Sequence, residues 1–126
     1  MAYNRAFCEG IALKPTNSLL AALGLALALP AAAQDADAGL AAVRELGRHN
    51  GVALACAERD AAAQARQLML AHAPKTARFG SAYEEATQES YLAQTRGGGA
   101  CPDAKALAAR IEDTAQRLRA ALPAAK

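Results

Sequence analysis

Leu40, Val43, Leu46, Gly47, Asn50 and Leu54 recur at three- and four-residue spacing, which places them along one face of a helix. Asp35 and Asp37 precede that face as candidate N-caps. Gly47 and Gly51 sit four apart on the same stretch. Each glycine costs roughly 1 kcal/mol in a helix interior, so a close contact with a second helix is expected to offset them. The Asn50-Gly51 pair could instead mark a turn. No strand pattern flanks it, and helix is the reading adopted.

The next boundary is weakly marked, because neither Gly nor Pro occurs between Gly51 and Pro74. A helix from about Asp60 to His72 would carry Ala61, Ala65, Leu68 and Met69 inward and stop ahead of Pro74. A single helix from Asp37 to His72 is the alternative. A third helix has two candidate starts: Thr76, or Ser81, which forms a capping box with Glu84. Phe79, Tyr83, Ala86 and Ser90 align on one side of it, and Gly97-Gly98-Gly99 forms a flexible connector after its end. Asp103 then caps a fourth helix whose stripe, Leu107, Ile111, Thr114, Leu118 and Leu122, is the cleanest in the chain. Asp113 and Arg117 support it at i,i+4, and Pro123 ends it. The expected fold is all-α, a small up-down-up-down four-helix bundle.

A different pattern opens the chain. Ser18–Leu29 is an almost unbroken Leu/Ala run, preceded by Arg5 and Lys14 and followed by Pro30 and Ala31-Ala32-Ala33. At ~1.5 Å per residue such a run spans only about 18 Å, well short of a ~30 Å hydrocarbon core. The reading is a signal peptide, residues 1–33, cleaved after Ala33 where Ala31 and Ala33 meet the need for small residues. A single domain, residues 34–126, would follow, periplasmic or secreted and without a stable membrane span. Gln34, not Cys, follows the expected cut, so lipid anchoring there is not expected.

Composition sharpens the picture of the core. Ala fills 27 of the 93 positions from 34 to 126. Alanine favours helix but buries little area, so the helices should pack closely around a narrow core. Twelve Lys and Arg face eleven Asp and Glu in that region, with no basic stripe interleaved with aromatics. Nucleic acid is therefore not an expected partner. Cys8 would leave with the leader, and Cys56 and Cys101 then read as one disulfide in an oxidising compartment. Two free thiols or metal ligands are the competing reading. The two cysteines fall at the end of the first helix and the start of the fourth, which an alternating bundle brings to the same end.

Candidate chemistry is sparse. His49 lies seven residues before Cys56, but a metal site would need two further ligands, with only His72 as another nitrogen. There is no CxxC, HxxxH, CxxCH or GxSxG motif, and Gly97–Gly99 lacks the setting of a phosphate loop. No catalytic residue, cofactor or metal is expected. Two tracts stand out for contacts: Leu46 to Gly51, with His49 and Asn50, and Lys75 to Gly80, a basic connector carrying Phe79. Glu84, Glu85 and Glu89 form an acidic cluster suited to a basic partner or a cation.

From Leu46-Gly47 through Asn50-Gly51, Ala55-Cys56, Leu68-Met69 and Phe79-Gly80 to Cys101-Pro102-Asp103, the chain resembles small exported two-cysteine helical proteins of uncharacterised bacterial families. In architecture alone it is similar to the HdeA-type acid-stress chaperones, which are small, periplasmic, helical and held by one disulfide. That likeness carries over no functional positions. The expectation is a non-enzymatic envelope accessory or chaperone-like module that meets a protein partner through His49, Asn50, Phe79, Glu84 or Glu85. The alternative is a carrier or sensor that binds a small ligand or metal between helices near His49 and Asn50.

Overall fold

The computed structural model describes residues 31–123; the apolar run Ser18–Leu29, expected to be part of a signal peptide, and Cys8 lie outside them. Four helices follow in order: α1, Ala31–Ala55; α2, Arg59–His72; α3, Ala77–Thr95; α4, Ala104–Ala121. Helix α1 begins earlier than its caps suggested, because Ala31 to Ala33 are strong helix formers with no breaker before Gly39. Asp35 and Asp37 are therefore not N-caps but residues inside the helix, and Asp37 pairs with Arg78 of α3 at 3.0 Å. The expected cut after Ala33 falls within α1.

Two helices, not one, fill the stretch up to His72. The break is a Schellman motif built without glycine. Ala57 adopts the left-handed conformation, φ 59°, while Glu58 N–H donates to Ala53 O at 2.8 Å and Ala57 N–H to Leu54 O at 3.3 Å. Helix α2 then starts one residue ahead of the predicted Asp60. Thr76, not Ser81, occupies the cap position of α3, and Ser81 lies inside the helix. At α4 the expected cap is present: Asp103 Oδ1 accepts from Ala106 N–H at 2.8 Å.

Successive helices alternate in direction, and α1 is the one helix that packs on all three others. Helices α2 and α4 share one flank of it and touch each other, while α3 lies along the opposite flank and runs parallel to α1. Leu46, Val43, Leu107, Ile111, Leu118 and Thr114 are fully buried between α1 and its neighbours. Small residues fill much of the rest, including Ala53, Ala65 and Ala115, so the core is as narrow as composition implied. Leu54 departs from the expected inward face. It is 44% exposed, because the arc it occupies lies between α2 and α3, which barely meet.

The α1–α3 seam depends on two glycines. A Cβ at Gly47 would meet Tyr83 O, and one at Gly51 would run into Thr87 O and the Tyr91 amide. Both neighbours are backbone and cannot turn aside. The α3 backbone thus passes over a strip of α1 that carries no side chain, which is the close contact the glycine spacing implied. At the far end of the molecule, Cys56 and Cys101 form a disulfide with Cα atoms 5.7 Å apart, tying the end of α1 to the start of α4. Closing a loop of that sequence separation, 45 residues, stabilises the fold by about 4 kcal/mol in the chain-entropy model.

One substitution at two glycines tests this packing, because it should change sign. Gly51→Ala is expected to lower stability by about 1–3 kcal/mol through overpacking against backbone. Gly80→Ala, on α3 where a Cβ meets nothing within 4 Å, is expected to raise it by about 1 kcal/mol through helix propensity. Urea denaturation of both variants decides it, and equal effects would refute the tight seam. The helix break has its own test. Ala57→Gly is expected to gain about 0.5–1 kcal/mol by relieving the left-handed alanine; a loss in the same assay would contradict the assigned backbone.

Candidate functional site

The contact residues expected from sequence do not converge. His49 and Asn50 are successive on α1, so their side chains point about 100° apart around the helix, toward different neighbours. His49 faces α4, with Nε2 3.2 Å from Thr114 Oγ1 and 3.5 Å from a Glu45 carboxylate oxygen. Burial pulls its pKa below the ordinary histidine value; Glu45 opposes this, while Arg110, Arg117 and Arg48 reinforce it. Asn50 faces α3, where its Nδ2 donates to Thr87 Oγ1 at 3.2 Å. His72 is at the other end of the molecule, its Nδ1 3.1 Å from the Leu122 carbonyl, so the two histidines do not come together. Among the described residues no group of three or more His, Cys, Asp or Glu side chains is placed to hold a metal.

Phe79 lies inside α3, as the Thr76 start implied, and at 6% exposed it packs in the core, so the contact role expected of it is corrected. The acidic cluster also divides. Glu85 borders a depression with Glu89, Arg44 and Arg48 between α1 and α3, whereas Glu84 borders a different groove.

That second groove is the most suggestive feature of the surface. It occupies about 450 Å³ where α1, α2 and α3 meet incompletely. Asn50 and Leu54 come from α1, Arg66 from α2, and Tyr83, Glu84, Thr87, Gln88 and Tyr91 from α3. The α3 residues belong there by register: 83, 84, 87, 88 and 91 are spaced three and four apart, so one helix face carries them all. Three large apolar side chains are exposed among the described residues, and two of them, Leu54 at 44% and Tyr91 at 41%, border this groove. Leu70 stands apart.

Its polar groups are unusual in what they lack. Asn50 is 5% exposed, and its Oδ1 has no hydrogen-bond partner. The Tyr83 hydroxyl is likewise buried and unpartnered. These are the two such side-chain atoms among the described residues, and both residues line the same groove. An unpartnered buried polar atom costs about 1–3 kcal/mol, so a pair at one place calls for a reason. Burial pushes the Tyr83 pKa up to about 12, with Arg66 acting in the opposite sense. The phenol therefore keeps its proton at neutral pH.

Two larger depressions, of about 580 and 550 Å³, follow the α1–α4 side. Some of their charged groups answer one another: Arg48 pairs with Glu45 at 2.6 Å and Arg117 with Asp113 at 2.9 Å, while Asp35 and Arg110 form no ion pair among the described residues. At the α1–α2–α3 groove neither Arg66 nor Glu84 forms one. Sequence reasoning singled out Asn50 and Glu84 but missed Arg66 and Tyr91. Their part depends on α2 and α3 diverging, which no residue pattern announces. The chain matches no protein-family model, no curated protein and no solved structure.

An idle hydroxyl can be removed without harm. Tyr83→Phe is expected to leave stability unchanged or raise it by up to about 1 kcal/mol, read from thermal and urea unfolding. A loss above about 1 kcal/mol would show that the hydroxyl has a partner in the folded protein.

Proposed function

We propose that this is an exported, non-enzymatic interaction protein of the cell envelope, and that its partner site is the groove between α1, α2 and α3. The observation that carries the reading is the coincidence of Asn50 Oδ1 and the Tyr83 hydroxyl, both buried without partners, with exposed Leu54 and Tyr91 at the rim of the same groove. Unsatisfied polar groups beneath an apolar, open surface suit a site that is completed by something else. The paired cysteines and the apolar leader run suit an oxidising compartment outside the cytoplasm. The alternative, a carrier using His49 and Asn50 together, is weaker, because the two side chains serve opposite seams of α1.

Crosslinking in living cells tests the proposal. A photoreactive residue at position 91 should give discrete adducts with envelope proteins. The same residue at position 119, exposed on α4 and paired with Glu112, should give none. The crosslinked chain is expected in the envelope fraction, beginning at Gln34. Adducts equal at both positions, or a cytoplasmic chain with its leader intact, would refute the proposal.

A further inference from the structure

We infer that His49 is a proton-operated latch across the α1–α4 seam: the neutral ring accepts the Thr114 hydroxyl of α4, and the protonated ring gives up that bond and pairs with Glu45 on its own helix. The latch lies away from the α1–α2–α3 groove and does not depend on what the groove binds.

The hydrogen-bond roles at Thr114 follow from its neighbours. Thr114 lies between Ile111 and Leu118 in the buried stripe of α4, and all three are fully buried. Its Oγ1 has two partners among the described residues, Arg117 Nη2 at 3.2 Å and His49 Nε2 at 3.2 Å. A guanidinium only donates, so the Thr114 oxygen accepts from Arg117. The hydroxyl proton is left for His49, because no carbonyl of α4 receives it in the way that Tyr91 O receives the Thr95 hydroxyl. Nε2 is therefore the acceptor, and the neutral ring carries its proton on Nδ1. The bonds run one way, from Arg117 through Thr114 to His49, and the last of them ties α4 to α1.

Protonation removes the acceptor. An imidazolium has N–H at both nitrogens and accepts nothing, so Nε2–H would face the Thr114 hydroxyl proton. That hydroxyl is buried and has no other acceptor among the described residues. A Glu45 carboxylate oxygen is already 3.5 Å from Nε2 and takes the new N–H with little movement. A bond between helices is thereby exchanged for a pair within one. Charge acts in the same sense. On α1, Arg48 already holds Glu45; on α4, Arg117 holds Asp113, and Arg110 has no ion pair among the described residues. Helices α2 and α3 bring no residue to the depression beside His49. A cationic ring thus joins three arginines against two carboxylates.

The direction of the pH dependence follows. Burial holds the His49 pKa below its ordinary value of 6.5, with Glu45 opposing and the three arginines reinforcing. The folded chain therefore binds this proton less readily than the unfolded chain. The contribution of the latch is complete above the ordinary value and is lost as pH falls through the lower, folded one.

The test uses the full chain, disulfide intact and nitrogen-15 labelled, with the His49 ring signals identified by their loss in His49→Gln. Above neutral pH the ring is expected as the Nδ1–H tautomer, the minor form of a free imidazole; an Nε2–H tautomer would overturn the latch. This reading needs no altered chain, so a variant that fails to fold does not protect the inference. Thr114→Val, which removes the donor, is expected to raise the His49 pKa by about half to one pH unit. A fall or no change would mean that the hydroxyl does not serve the neutral ring. Amide exchange around Thr114, corrected for its intrinsic pH dependence, supplies the readout of the seam. Between about pH 7 and pH 5, its protection is expected to fall about three- to tenfold further in the unaltered chain than in His49→Gln, whose amide oxygen accepts the hydroxyl at any pH. Equal losses in the two chains would show that the proton does not operate the seam.

Discussion

Helices α1 and α3 lie close because Gly47 and Gly51 present no side chain where the α3 backbone crosses them. Most of what is distinctive in the molecule follows from that approach. An alanine-rich chain buries little area per residue, so contact must come from proximity, and dispersion between packed backbones rewards proximity steeply. Helix α3 has almost no other support, since it barely meets α2 and packs on no other helix to a comparable extent. The remaining partners of α1 use the opposite strategy. Leu107, Ile111 and Leu118 of α4 fill the space against Val43 and Leu46 with larger side chains. One helix thus carries a small-residue seam on one flank and a branched aliphatic seam on the other.

The parallel course of α3 along α1 has a second consequence. With α2 antiparallel to both and held on the far flank, the surfaces of α2 and α3 diverge and leave a groove over the middle of α1. Asn50 lies beneath it, one residue before Gly51, and its bond to Thr87 helps fix the register of the glycine seam. A single buried amide can specify register in this way at some cost in stability. The oxygen left over, with the Tyr83 hydroxyl, is the part of that cost with no return inside the chain.

The disulfide complements the seam. Glycine contacts and aliphatic packing act along the length of α1, but nothing in them fixes α4 at the end where the connector contains three glycines. Cys56 to Cys101 closes that end covalently and limits the conformations of the unfolded chain, which matters most when the core is thin. At the opposite end, His72 meets the Leu122 carbonyl, so α2 and α4 are joined where no covalent tie exists.

Local physics made much of this legible in the residues alone. Periodicity located the four helices, Asp103 marked its cap, the glycine spacing implied a close seam, and two cysteines at matching bundle ends implied their bond. Each of these depends on neighbours in sequence or on a count. The break before Asp60 was legible to within a residue, but the left-handed Ala57 that makes it was not, because alanine does not ordinarily take that conformation. The extent of Phe79 burial, the exposure of Leu54, and the meeting of Asn50, Arg66, Tyr83 and Tyr91 were not legible either. A helical pattern says which residues share a face but not which neighbour that face will meet. That was decided by the side of α1 on which α3 settled, and the two glycines left it one flank close enough.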